Sequence, residues 1–356
     1  MSARATVTVD LAKVTGNTRR VVDALRGMDV VGVTKGTCGA PEVGAAMLAG
    51  GAVALGESRL ENAARLREAG IDAPIWLLRA PTPDLAEDTI RLTDVSLQSE
   101  LVTVEALDRA AARLGRRHGV IAMVDVGDLR EGMMPAELPD FIRAVGGFSH
   151  AYLAGIGTSL TCYGAVVPTE ENLGELAALA RAAERQLGRR MLVSGGSSTS
   201  IEAVVSGRAP DAIDDLRIGE AILLGVDPAT RERILGLETD AITVAVPVIE
   251  CKVKPSLPIG VCAQDAFGNR PSFEDRGERR RAICALGRQD APPEGLRPVD
   301  PRVEVLGASS DHLVLDVERL PRPPEIGEAI EFVPSYAATL QLFTSAYVSK
   351  AFTNAG

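Results

Sequence analysis

Cysteine, long apolar runs and excess positive charge are all scarce in this chain, and each shortage removes a class of function. Its five cysteines, Cys38, Cys162, Cys251, Cys262 and Cys284, are scattered and form no C-x-x-C pair. That argues against a disulfide framework and against zinc or dithiol chemistry. No segment reaches the ~18 consecutive apolar residues of a membrane span, and the opening MSARATVTVD has no apolar signal core. The formal net charge of -10 argues against a nucleic-acid face, which needs a basic surface. The G-x-G-x-x-G turn of a dinucleotide fold is missing too: KGTCGAPEVG follows the first strand-like run. These shortages describe a cytoplasmic protein that binds neither nucleic acid nor membrane.

What is present points to two domains. The 356 residues are 46% apolar, and a single core rarely grows past ~250–300 residues. Eight short apolar runs, DVVGVTK, GAVALGE, APIWLLR, DVSLQ, GVIAMVDVG, YLAGIGTSL, RMLVSGG and LRIGEAILLG, alternate with amphipathic stretches such as Glu100–Arg117 and Thr169–Leu187. Strand alternating with helix means parallel pairing, and eight such units predict an α/β protein with a (β/α)8 TIM-type barrel over residues 10–236. Past Gly236 the pattern changes to short alternating strands and turns, as in AITVAVPVIECKVKP and PRVEVLGASSDHLVLDVERLP. This predicts a smaller, mostly β C-terminal domain over 237–356, to which residues 1–9 add a strand.

A barrel collects its chemistry at the C-terminal ends of its strands. Lys35 ends the first run, and an unpaired lysine is costly to bury unless it serves a site. Arg130 lies just past the fifth strand, Ser159 past the sixth, near the end of its run, SGGSSTS follows the seventh, and Arg217 lies in the eighth. Ser197-Ser198-Thr199 and Gly219-Glu220 open short helical turns whose backbone N–H groups suit a phosphate. A lysine, an arginine and a phosphate cradle at one mouth suggest pyridoxal phosphate.

These segments resemble the fold-type III pyridoxal-phosphate enzymes, and within them the alanine/ornithine racemase family. VDLAKVTGNTRRV is similar to its opening helix, GVTKGTCG to its cofactor lysine and MVDVGDLREGM to its segment with Asp-x-Gly followed by an arginine. GIGTSLTCYG and LRIGEAILLG resemble its later strand ends, and VLGASSDHLVLD its β-domain. The resemblance implies an amino-acid racemase acting by two-base Cα proton transfer on alanine, ornithine or a similar substrate. Lys35 then forms the Schiff base and serves one face. Arg217 meets the pyridine nitrogen, Arg130 holds the substrate carboxylate or cofactor hydroxyl, and Tyr336 reaches the phosphate. It also implies a homodimer with shared sites, the β-domain of one chain over the barrel of the next.

The departure from that family concerns the second base. Its alanine racemases use a tyrosine of the partner's β-domain, whereas CALGRQD has Arg288 near that position and no tyrosine. His312, one of three histidines, with Asp311 beside it, is the candidate, since an imidazole suits two-way proton transfer near neutral pH. SSDH also resembles a metal-binding stretch of D-threonine aldolases and D-serine dehydratases, but the next ligand position there is Val314 here, so no metal is expected. A lyase of that kind and a non-catalytic cofactor-binding protein are the alternatives. Asp265, Asp290 and Asp311 are the carboxylates weighed for a substrate side-chain ammonium.

Overall fold

A computed structural model describes residues 4–25 and 27–354. They divide into two compact units, residues 11–238 and residues 4–10 with 239–354. Residues 1–3, 355 and 356, assigned by the sequence reading to the β-rich domain, lie outside the described residues.

The larger unit is a closed barrel of eight parallel strands. After β1 (Thr6–Asp10), which belongs to the other unit, these are β2 (Asp29–Val33), β3 (Ala54–Glu57), β4 (Ile75–Leu77), β5 (Val95–Gln98), β6 (His118–Met123), β7 (Ala151–Gly157), β8 (Leu192–Ser194) and β9 (Asp215–Ile218). Each of the eight expected runs supplies one of them. β2 pairs with both β3 and β9, which closes the ring. Side chains inside the ring and helices outside it cover both faces of each strand, so β3, β6 and β9 are buried at every position. The helices show the complementary pattern. Leu138–Val145 buries Leu138, Phe141, Ile142 and Val145, a single stripe at helical spacing. Thr169 caps Glu170–Leu187, its hydroxyl accepting from Asn172 N at 3.3 Å. The helix expected to reach Arg117 is Leu101–Leu114; the following residues are needed to turn the chain into β6.

The smaller unit is a mixed sheet. It contains β1, β10 (Ile242–Pro255), β11 (Glu278–Cys284), β12 (Leu296–Pro298), β13 (Glu304–Ala308), β14 (Leu313–Asp316), β15 (Ala329–Pro334) and β16 (Ser349–Thr353), in the order β12-β15-β10-β11-β14-β13. β1 pairs antiparallel with β10 and parallel with β16. Its alternation buries Val7 and Val9 on one face. The helix Tyr336–Thr344 precedes β16, so the chain returns to the sheet after the helix expected in the tail.

Candidate active site

Lys35 lies two residues past the end of β2, at the start of a 3-10 turn, Lys35–Thr37, rather than on the strand itself. The turn is tied down on both sides. Thr37 Oγ1 donates to Thr34 O at 3.0 Å. Glu57, fully buried at the end of β3, accepts from Thr34 Oγ1 at 2.6 Å, Asn62 Nδ2 at 3.0 Å and Ser58 N at 3.2 Å. Burial lowers the Lys35 pKa below that of an ordinary lysine; Arg130 works in the same direction, and Cys162, Glu131 and Glu57 oppose it. A lysine so placed offers a neutral amine more readily than one in water.

Glu57 went unnoticed in the sequence because GAVALGE reads only as a strand with an acidic end. All three partners donate to it, Thr34 to Oε1 and Asn62 and Ser58 to Oε2, so the pocket needs an acceptor and an apolar side chain does not suit it. Replacing Glu57 with Leu leaves Thr34 Oγ1, Asn62 Nδ2 and Ser58 N without their acceptor, and the cost is about 1–3 kcal/mol. We expect thermal denaturation to show a midpoint several degrees lower, at roughly 2–4 °C per kcal/mol for a unit of this size. An unchanged midpoint would mean that the contacts around Glu57 do not hold the turn.

The loops after β6 and β7 are joined at the same end of the barrel. Arg130 Nη2 donates to Ser159 Oγ at 3.1 Å and to Glu131 Oε1 at 2.7 Å, so two expected site residues meet directly. Asp128, buried, accepts from the backbone N–H of Cys162 at 3.2 Å, Tyr163 at 2.9 Å and Val166 at 3.3 Å. Burial alone would raise its pKa; these backbone donors outweigh that and hold it low. Leu129, Thr161 and Ala165 flank these bonds at φ 52°, 63° and 56°, left-handed conformations that non-glycine residues keep only where surrounding contacts enforce them.

Arg217 is 5% exposed. Its Nη2 donates to Thr158 O at 2.5 Å and its Nη1 to Ser194 Oγ. Burial lowers its pKa, yet an arginine remains a cation. The two turns expected to form the phosphate cradle adjoin, for Ala221 N donates to Ser198 Oγ at 3.2 Å. Ser197 Oγ and Thr199 Oγ1 share a hydrogen bond of 3.2 Å. A Cβ on Gly219 would lie 2.9 Å from Val33 O, so only glycine lets this turn approach β2. The Glu220 carboxylate pairs with Arg231, which leaves its backbone as the part suited to an anion. Lys35, Arg130, Ser159, Ser197, Ser198, Arg217, Gly219 and Glu220 thus gather at the C-terminal end of one closed barrel.

The remaining expected residues lie in the other unit. His312 and Asp311 are exposed in the turn between β13 and β14. His312 Nδ1 is 3.4 Å from Ser309 Oγ. Asp311 accepts from Ser310 Oγ at 2.8 Å and from Gln289 Nε2. This turn sits against the Arg288 loop: Arg288 N donates to Ser309 O at 2.9 Å, and a Cβ on Gly287 would overlap Ser310 O. Arg288 itself stacks 5.3 Å from the Phe267 ring centroid. Tyr336 is half-buried at the first position of its helix, behind the Ser335 cap. Asp290 is buried and accepts from Ser345 Oγ at 2.6 Å, and Asp265 accepts from Phe267 N at 2.9 Å and Asn269 N at 2.8 Å. Both carboxylates therefore have local partners.

The barrel residues fit pyridoxal phosphate. An amine of lowered pKa and a buried cation stand at one mouth with a serine-rich turn, and the buried Thr158 hydroxyl has no hydrogen-bond partner. The sequence profile of the alanine racemase N-terminal domain matches residues 9–228. An ornithine racemase of Acetoanaerobium sticklandii is 42% identical over 296 residues, 83% of each chain. A lysine racemase of Thermotoga maritima is 38% identical over 347 residues, 97% of each chain. Among solved structures, alanine racemase from Streptomyces lavendulae superposes with a TM-score of 0.77 at 19% identity, covering 99% of this chain and 98% of that one. Alanine racemase from Bartonella henselae, with covalently bound pyridoxal phosphate, does so with 0.75 at 19% identity over 99% and 100%. Fold and site define the class of barrel-and-β-domain pyridoxal-phosphate enzymes. Within that class the chain belongs to the alanine racemase family.

Proposed function

We propose that this amino-acid racemase acts on substrates with a cationic side chain, ornithine or lysine, using pyridoxal phosphate attached to Lys35. The half-buried lysine of lowered pKa at the barrel mouth carries the catalytic reading. The substrate reading is supported by the ornithine and lysine racemases that match over most of the chain.

Pyridoxal phosphate, when bound, supplies the electron sink that makes the Cα proton of an amino acid mobile. Ser197, Ser198, Gly219 and Glu220 would hold its phosphate, with Tyr336 as a further contact, and Arg217 would meet its ring nitrogen. Because a guanidinium does not give up a full proton, the sink stays weak, which favours return of the proton over loss of a side-chain group. Arg130, braced by Ser159, would hold the substrate carboxylate or the cofactor hydroxyl. Lys35, as a neutral amine, would take or return the Cα proton on one face. His312, with Asp311 beside it in sequence, serves the other face from the partner chain of a homodimer. Among the described residues no helix is long and apolar enough to cross a membrane, and we place the enzyme in the cytoplasm.

Chiral chromatography after incubation with each of twenty L-amino acids tests this reading. D-Ornithine or D-lysine should appear at the highest rate. Fastest turnover of alanine would remove the cationic-substrate reading. An aldehyde or keto acid in place of the mirror-image amino acid would establish a lyase. Bound cofactor with no product from any amino acid would leave a binding protein.

A further inference from the structure

Arg217 does not stand alone inside the barrel. β9 places Asp215 two residues before it, on the same face of the strand, and the adjoining β8 ends on Ser194. Ser194 Oγ accepts from Arg217 Nη1 and donates to Asp215 Oδ1 at 2.7 Å. All three residues are buried, and Asp215 Oδ2 has no hydrogen-bond partner. A buried carboxylate with an unpaired oxygen is costly, and an apolar side chain would serve barrel packing better. Its presence calls for a role that packing does not supply.

A serine hydroxyl both donates and accepts. While Asp215 accepts the hydrogen bond of the Ser194 hydroxyl, the lone pairs of Ser194 are committed to Arg217. When that acceptor is lost, the hydroxyl can turn its proton toward the guanidinium, and the contact becomes repulsive. We propose that Asp215 is a positioning residue which, through Ser194, orients the Arg217 guanidinium and thereby sets the proton affinity of the cofactor ring nitrogen. This rests on the reading that Arg217 meets that nitrogen.

The charges around the pair are few. Asp215 feels Arg217, Asp214 and Asp29, and burial pushes its pKa up to about 7. Arg217 feels Asp215, Cys162, Glu131 and Arg130. The Asp215–Arg217 unit therefore changes from net cationic to neutral as pH rises through about 7. The electrostatic potential at the guanidinium changes with it.

The test uses the holoenzyme and Asp215→Asn, Ser194→Ala and Arg217→Gln variants. Visible absorbance of the bound cofactor is titrated from pH ~5.5 to ~9, and cofactor affinity is read by fluorescence on reconstitution. We expect a wild-type spectral step near neutral pH that Asp215→Asn loses and Ser194→Ala moves to higher pH, because the Ser194 hydrogen bond is one of the causes that hold the Asp215 pKa down, with cofactor binding about tenfold weaker in both, the worth of one charge-assisted hydrogen bond. If Arg217→Gln alters the spectrum while the other two variants titrate as wild type, the Asp215 proposal is overturned and the Arg217 reading stands. An Arg217→Gln spectrum identical to wild type overturns the ring-nitrogen reading and the proposal with it. Should Asp215→Asn not fold, Ser194→Ala decides, because it removes only the bridging hydroxyl.

Discussion

Replacing Lys35 with alanine should lower racemisation by at least ~10³-fold, the largest loss expected of any single change. The residue carries two roles in the proposed mechanism. It is the attachment point of the cofactor and the base for one face, and loss of a general base alone costs ~10²–10⁴-fold. Two losses at one residue do not add, so this figure is a floor. Borohydride reduction of the holoenzyme followed by peptide mapping should place the pyridoxyl group on Lys35. The chain has only four other lysines, Lys13, Lys252, Lys254 and Lys350, and a label on any of them would remove Lys35 from the mechanism.

The lowered pKa of Lys35 adds a stability test on the cofactor-free protein. Between its folded pKa and the ordinary lysine value of 10.5, the unfolded chain binds more protons than the folded one, so stability rises with pH in that window. Below the folded pKa the full penalty of burying the ammonium is present. Cofactor-free Lys35→Met should therefore be at least as stable as wild type at neutral pH, and its advantage should shrink as pH rises toward 10.5. A variant less stable at every pH would show that the amine contributes contacts outweighing its burial.

His312→Asn should depress turnover in both directions by ~10²–10⁴-fold. The equilibrium constant of racemisation is one, so removing a base cannot create a net preference for either enantiomer. In deuterated water the variant should still exchange the Cα proton of one enantiomer through Lys35 without inverting it, and exchange from the other should become slow. If one chain's His312 serves the barrel of its partner, mixing Lys35→Ala with His312→Asn protomers should restore about a quarter of the sites on random exchange, and about half of those in isolated mixed dimers. No recovery in verified mixed dimers would confine each site to one chain. Wild-type turnover in His312→Asn would shift attention to Arg288 and Asp311. Stoichiometric metal in the wild-type protein that His312→Asn loses would favour the lyase.

Much of the barrel was legible because its signals are local. A parallel strand buried on both faces must be a short apolar run, and eight such runs alternating with amphipathic stretches leave few architectures. Strand ends then follow from where each run stops. For this reason Arg130, Ser159, Ser197, Ser198, Gly219 and Glu220 could be nominated without coordinates. Lys35 was nominated as well, although as the end of a strand rather than the opening of a 3-10 turn; one residue of extended backbone looks the same as another in composition.

The supporting carboxylates were not legible. Glu57 and Asp128 sit inside the strand-like stretches GAVALGE and MVDVGDLREGM, and Asp215 stands just before LRIGEAILLG, without any local mark of a role. An aspartate at a strand end normally contacts water, and nothing local distinguishes one that does not. Their partners are distant in the chain: Thr34 lies 23 residues from Glu57, Tyr163 35 residues from Asp128 and Ser194 21 residues from Asp215. Closure of the barrel brings these residues together and excludes water from them, and burial then shifts their protonation. The sequence by itself determined which segments become strands and which chemical groups stand at their ends, because hydrophobic periodicity is a property of neighbouring residues. Only the tertiary structure decided which groups are dry, which are paired and which cation each carboxylate faces, because desolvation and hydrogen bonding depend on segments meeting across the ring.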